Sequence, residues 1–388
     1  MSVGTKIVCL GLIIFAFVSC ATQGGSPGAL SDLEPGQRPA LDTDEAGLWM
    51  QMDNLEKSLR TSGLLVTDQN VNNYIKSIVC RLAGPHCPGI RIYVMQTPYF
   101  NASMAPNGVM QVWTGLILRS QNEAQLAYVL GHEIGHYLRR HSVQMWRDIR
   151  NKSDILAVFS VATGGYGAPL AQLVAIASIY AYSRDNEREA DEVGFELMVK
   201  AGYDPREASL IWEALLKEKQ ASNESTPSIF FATHPSTEER IETLKELGQK
   251  AFAREIRSEA GTERFLAATI PVRAMLLRDE LRRRDFAQSQ ILLDRLIQTG
   301  NGLGELHFYQ GELFRLRAEP GDESKARQAY QKALEVGGAP VEIHRAMGLV
   351  FFKAGEKASA REAFERYLRE RPKADDKEMI QSYLRQLE

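Results

Sequence analysis

No stretch of this sequence reads as an uninterrupted apolar run of the roughly 18 to 20 residues that a membrane-spanning helix needs. Ile7 to Val18 is too short, and the apolar region from Ile155 to Tyr182 is broken by Gly164, Gly165, Gly167, Pro169 and Gln172, so buried helices are expected there. Positive charge is not in excess either. The 46 Lys and Arg against 49 Asp and Glu leave a formal net charge of −3, which provides no electrostatic footprint for nucleic acid. Nucleic acid is therefore not an expected partner. Cysteine is scarce, four in 388 residues, which excludes a disulfide-dense scaffold and a cysteine-based zinc framework. With 44% apolar and 24% charged residues, the chain has the balance of a folded protein and enough length for two domains.

The first segment stands apart. Lys6 followed by Ile7 to Val18 has the form of a secretory signal peptide over residues 1–19. Phe17-Val18-Ser19-Cys20 resembles a bacterial lipobox, in which small residues precede a cysteine that is acylated before the signal is removed. Cys20 is thus the expected lipidation site. Ala21 follows it instead of the aspartate that requests inner-membrane retention, so the expected address is the periplasmic face of the outer membrane, with a soluble periplasmic protein as the alternative. Cys9 leaves with the signal. Cys80 and Cys87 could pair across Arg81 to His86 in an oxidising compartment, or remain as buried thiols. Residues 20–43, rich in Gly, Ser, Pro and Asp, read as a flexible tether.

Apolar spacing predicts a helix from about Glu45 to Leu59 and another from about Asp68 to Leu82, with Val71, Tyr74, Ile75, Ile78 and Val79 on one face. Ile90-Arg91-Ile92-Tyr93-Val94 alternates like a strand, and Val109 to Leu116 gives a second after the turn signal Asn107-Gly108. One helix is expected from Gln121 to His141. Another runs from Glu187 to Ala201, closed by Gly202-Tyr203-Asp204-Pro205; further helices begin at Arg206 and after Pro235. Gln220 to Thr226 is polar and reads as a loop. Beyond about residue 255 strand signals vanish and helix pairs recur. Gly348, Phe351, Ala360, Phe364 and Pro372 fit the spacing of a tetratricopeptide repeat, and Gly311, Phe314, Ala326, Tyr330 and Ala333 repeat it, 37 residues earlier at the glycines. Val272 to Gln298, with Ala287 and Ile291, reads as a degenerate earlier repeat. The expected fold class is α+β: a mainly helical domain with a small sheet over residues 44–254, then an all-α repeat domain over residues 255–388.

The chemistry concentrates in His132-Glu133-Ile134-Gly135-His136. Two histidines four apart on a helix project to one side and suit two corners of a tetrahedral zinc site. Glu133, between them, can hold a zinc-bound water, take its proton during attack on a peptide carbonyl and deliver it to the leaving amine. One zinc ion and peptide hydrolysis are expected. Arg139 and Ser142 stand where the metzincin arrangement needs Gly and His, so that arrangement is excluded and His141 reads as a solvated helix-end residue. Downstream, Glu187 and Asp191 share a helical face, so that one could bind zinc while the other orients a histidine. Spacing does not choose between Glu187 and Glu189. His234, ahead of Pro235 and after a polar loop, has free access to a cleft. His86, His307 and His344 lack such context and read as structural.

Glu123 to His136, the Glu187-Arg188-Glu189-Ala190-Asp191 run and Thr233-His234-Pro235 together resemble the gluzincin family of HtpX, the CAAX prenyl proteases and BepA. With the repeats and the secretory signal, the likeness is to BepA-like members and covers roughly residues 45–385. It implies that Glu187 is the third zinc ligand, that Asp191 supports a ligand and that Glu189 is a bystander. It implies that His234 can take the fourth position on zinc, displacing the catalytic water and holding the enzyme latent, or swing away and stabilise the tetrahedral oxyanion. Asn101, Ala102 and the strand through Trp113 resemble the family's cleft border, where a substrate chain could add as an extra strand. The implied function is that of a zinc endopeptidase of the cell envelope acting on misfolded or stalled outer-membrane proteins. Its repeats would present substrate or dock on the outer-membrane assembly machinery. The alternative is a chaperone or adaptor with a largely silent zinc site.

Overall fold

A computed structural model describes residues 30–150, 182–222, 230, 234, 238–253 and 258–388. The expected signal peptide, Cys20, nearly all of the apolar region 155–182 and most of the loop ahead of His234 lie outside these residues. No helix among the described residues is long and apolar enough to cross a membrane.

Residues 30–43 are coil, yet they do not form the free tether expected there. Leu33 is buried, its N–H donates to the Leu138 carbonyl at 2.9 Å, and Asp32 pairs with Arg139 at 2.7 Å. Leu33, with Leu30 packed against Leu48, Met52 and Val143, seats the segment, and average composition does not reveal it. Thr43 then caps α1 (Asp44–Arg60), its hydroxyl accepting from the Ala46 N–H. Asp68 caps α2 (Gln69–Ala83) in the same way. Cys80 in the last turn of α2 is bonded to Cys87 in the 3-10 turn Gly84–Gly89.

The sheet has the order β1-β3-β2. β1 (Arg91–Met95) runs parallel to β3 (Val109–Trp113), and β2 (Ala102–Met104) antiparallel to it. The second strand is shorter than the expected run to Leu116. At Thr114 the hydroxyl accepts from the Thr97 N–H and donates to the Thr97 carbonyl, and a Cβ on Gly115 would lie 2.2 Å from the Tyr99 carbonyl oxygen. That close approach turns the chain into α3 (Thr114–Arg119).

The expected long helix from Gln121 to His141 is two helices. Asn122 caps α4 (Glu123–Leu138), Arg140 takes a left-handed conformation at φ 57°, and α5 (His141–Arg150) starts anew. A non-glycine residue at positive φ is costly; here the Arg140 guanidinium is anchored by Glu45 of α1 and the Ser31 carbonyl. After residue 182 come α6 (Arg184–Lys200), α7 (Glu207–Ala221) and α8 (Glu238–Phe252). The C-terminal part is helical throughout its regular structure: α9 (Thr262–Arg282), α10 (Phe286–Gln298), α11 (Leu303–Arg317), α12 (Asp322–Val336), α13 (Glu342–Lys353), α14 (Lys357–Glu370) and α15 (Lys377–Gln386).

No gap in the packing marks residue 254. One continuous apolar cluster runs from Leu33 through the sheet and α4 to Leu276, Leu292, Tyr330 and Val350. A buried ion network crosses the same junction: Arg119 of α3 binds Glu218 of α7 at 2.7 Å and Glu280 of α9 at 2.9 Å, and Arg295 of α10 binds Glu218 at 2.6 Å.

Candidate metal centre

The centre sits where α4 and α6 cross. Gly131 and Gly135 on α4 face Ala190 and Gly194 on α6, and a Cβ on Gly194 would lie 2.6 Å from the His132 nitrogen. Only small residues permit backbones this close. The crossing carries Glu187, in the first turn of α6, to the two histidines of α4, which lie one turn apart on its inner face. His132 Nε2 and His136 Nε2 are 3.1 Å apart. Glu187 reaches His136 Nε2 at 3.4 Å and His132 Nε2 at 3.7 Å. His234 closes the group, with Nδ1 3.4 Å from His132 Nε2 and 3.0 Å from Glu187 Oε1. Among the described residues these four could hold one metal ion, with donor atoms all within 4.8 Å of one another and every side chain buried. A tetrahedron with zinc–ligand bonds of about 2.0–2.2 Å has edges of about 3.3–3.6 Å, so the donor set and its spacing fit zinc.

Each histidine is held from behind. His132 Nδ1 lies 3.0 Å from Asp191 Oδ1, and that carboxylate also accepts from Tyr128 at 2.7 Å and from Arg240 at 2.7 and 2.8 Å. Arg240, in the first turn of α8, donates further to Glu187 Oε2 at 2.7 Å. His136 stacks on Tyr182, ring centroids 3.8 Å apart, and its Nδ1 lies 2.9 Å from His141 Nδ1. His234 stacks on Phe230, which in turn packs against Trp212 and Phe100.

Protonation follows from these neighbours. Burial pushes the Glu133 carboxyl up, against the pull of His234 and His132, the direction that suits a group meant to accept a proton near neutrality. Burial also pushes Glu187 up, but His234, His136 and His132 outweigh it and hold the carboxyl well below the ordinary range. At Asp191 burial is likewise outweighed, chiefly by Arg240, and the carboxyl is held at about 2. Burial keeps His136 well below the ordinary imidazole value, hence neutral. Two ionised carboxylates and a neutral imidazole are the forms that bind and support a cation. At His234 burial is outweighed by Glu187 and Glu133, which raise it; a proton and a cation compete for its lone pair.

The structure thus gathers His132, His136, Glu187, His234 and, behind them, Asp191. Glu133 is fully buried beside them, with Oε1 3.6 Å from His234 Nε2. Asn101 immediately precedes β2 and Ala102 opens it; the outer edge of β2 pairs with no strand among the described residues. The Asn101 side chain is buried, and neither of its polar atoms has a hydrogen-bond partner among the described residues. Glu189 does not join the donor set. Two sequence readings are corrected. His141 is not a solvated helix-end residue but is fully buried, because the turn at Arg140 folds it back toward His136. Glu189 is not idle, since it pairs with His141 and Arg139, each at 3.1 Å. Arg240 and Tyr128 were missed altogether. Arg240 stands six residues after His234, and Tyr128 four before His132, a spacing that put it on the ligand face.

The model of peptidase family M48 matches residues 66–248. The β-barrel assembly-enhancing protease of Escherichia coli K12 is 29% identical over 210 residues, covering 50% of this chain and 42% of that protein. A putative β-barrel assembly-enhancing protease of Vibrio cholerae is 28% identical over 207 residues, with the same coverage of each. The mitochondrial metalloendopeptidase OMA1 of Schizosaccharomyces pombe is 31% identical over 156 residues, covering 40% of this chain and 45% of the relative. This chain therefore matches less than half the length of these curated relatives. All four candidate ligands fall inside residues 66–248, the stretch over which the chain matches the peptidase family M48 domain.

Proposed function

We propose that this chain is a zinc-dependent endopeptidase of the cell envelope that cuts misfolded or stalled outer-membrane proteins. The observation that carries the catalytic part is the buried cluster of His132, His136, Glu187 and His234 with Glu133 against it. His132, His136 and Glu187 would hold the zinc ion, which would polarise the substrate carbonyl and acidify a water. Glu133 takes the proton of the attacking water and passes it to the leaving amine. Its Oε1 makes no hydrogen bond within the described residues, so it is not committed elsewhere. Asn101 supplies an amide for the substrate backbone, and the free edge of β2 receives the substrate as an added strand.

His234 has two candidate roles, and the geometry favours one. Its Nδ1 lies among the other donors and its Nε2 faces Glu133, so it fills the space that the attacking water needs. The resting protein is then latent, and catalysis requires His234 to leave. Phe230, stacked on the imidazole at 4.6 Å, holds His234 in that position.

The envelope setting rests on the lipobox-like Phe17 to Cys20, which would anchor the chain through acylated Cys20 at the periplasmic face of the outer membrane, and on the names of the bacterial relatives. The C-terminal helices are read as tetratricopeptide repeats that present substrate or dock on assembly machinery. In support, a Cβ on Gly311 would meet the Tyr330 ring at 2.3 Å and one on Gly348 the Phe364 ring at 2.5 Å, the close helix crossings that such repeats use. The second reading, a chaperone or adaptor with a silent zinc site, makes the opposite prediction for one variant. Glu133→Gln should keep bound zinc and abolish cleavage of casein and of the chain itself; unchanged cleavage and unchanged outer-membrane integrity in that variant would defeat the endopeptidase reading.

A further inference from the structure

His141 and Glu189 have no part in the donor set, yet the fold goes to some length to bring them to it. In one continuous helix the side chains at 136 and 141 would diverge by about 140° at 3.6 residues per turn. The left-handed Arg140 breaks that helix, and the new one begins with His141 turned back under His136. The imidazole of His141 is fully buried. Its two ring nitrogens have one partner each: Nδ1 is 2.9 Å from His136 Nδ1, and Nε2 is 3.1 Å from Glu189 Oε2.

Only one arrangement of protons satisfies all of these contacts when His136 is neutral and a ligand. His136 Nε2 faces His132 and Glu187, so it must keep its lone pair, and its proton sits on Nδ1. That N–H donates to His141 Nδ1. His141 therefore carries its own proton on Nε2 and donates it to Glu189. The carboxylate is fixed in turn by Arg139, which bonds its other oxygen and also Asp32 of the N-terminal segment. The two histidines of α4 are thus backed differently. Asp191 supports His132 directly, while Glu189 supports His136 through an intervening imidazole.

We infer that His141 and Glu189 are positioning residues for the metal: they fix the tautomer and ring orientation of His136 and strengthen it as a ligand, as carboxylate partners do for metal-bound histidine. The inference rests on the zinc-site reading above. Its test is zinc affinity, measured by chelator competition on the full-length chain carrying Glu133→Gln so that self-cleavage does not intervene. His141→Ala should weaken zinc binding by about 10- to 100-fold. His141→Gln, whose amide can accept from His136 and donate to Glu189, should recover most of that loss. Glu189→Ala changes a side chain that is 46% exposed, so it should fold normally and still weaken binding severalfold. With cobalt in place of zinc, the visible absorption of His141→Ala should shift while that of His141→Gln stays near the parent. A parent chain that binds no zinc would sink the ligand assignment itself. Zinc affinity in both His141→Ala and Glu189→Ala within about threefold of a zinc-binding parent would overturn this inference alone, as would a glutamine variant no better than the alanine one.

Discussion

Arg240 is the side chain on which two buried carboxylates depend, since its guanidinium bonds both oxygens of Asp191 and one of Glu187. Removing one partner from a buried charge network costs about 3–5 kcal/mol, because the remaining charge has no compensation. Arg240→Met should lower the free energy of unfolding of the zinc-free chain, read from urea titration, by an amount in that range, with zinc restoring part of it; an unchanged value would mean that the carboxylates are held by something else. Glu56 makes a milder prediction away from the centre. Arg91 of β1, aided by Tyr93 and Arg60, outweighs burial and lowers its carboxyl from the ordinary 4.5 to about 2. A depressed carboxyl stabilises the fold above its unfolded value and loses that contribution as pH falls. Acid unfolding between about pH 4.5 and 2 should therefore be blunted in Glu56→Gln, which starts from lower stability at pH 7. At this scale the sequence was legible where chemistry is local. His132, Glu133 and His136 share one helix turn and name themselves. Glu187 and Glu189 did not, because both lie within one helical turn and only the crossing with α4 decides which of them meets the metal. Arg240 was opaque because its partners are 49 and 53 residues away.

The crossing of α4 and α6 is what assembles the site, and its small residues are placed four apart on both helices: Gly131 and Gly135 against Ala190 and Gly194. A methyl group at 194 would press on the α4 backbone rather than on a side chain that could yield. Gly194→Ala should cost about 1–3 kcal/mol by overpacking and should also weaken zinc binding, since moving α6 outward withdraws Glu187. Gly47 in α1 is the control, because a Cβ there meets nothing within 4 Å. Gly47→Ala should stabilise the chain by about 0.5–1 kcal/mol. Thermal melts of the two variants with and without zinc check both expectations. The elements themselves were largely legible, since apolar periodicity gave α1, α2, β1 and α6 to within a few residues. The break at Arg140 was not, because neither glycine nor proline marks it; an ion pair to Glu45, 95 residues earlier, holds it.

For the molecule as a whole, the composition shift near residue 255 suggested a border that the packing does not respect. Arg119, Glu218 and Glu280, all about 1% exposed or less, tie helices from both sides of it, and one apolar cluster spans them. A chain truncated after residue 254 would leave Arg119 without Glu280, and Glu218 without Arg295. It should be insoluble or unfolded, and the intact chain should unfold in a single calorimetric transition; two resolved transitions would show that the halves are independent after all. The seating of Leu33 against α4 bears on a different question, that of reach. With lipid on Cys20, only the nine residues 21–29 would separate the anchor from Leu30, and a fully extended chain spans at most about 3.6 Å per residue. Docking of residues 32 and 33 on Arg139 and Leu138 would then limit the metal-bearing helix to a shell about 35 Å deep beneath the bilayer, measured from that docking point. On the proposed anchoring through Cys20, a leash that short would convert a search through the whole periplasm into a patrol of the membrane surface, so that a polypeptide would be met while it is still at the membrane.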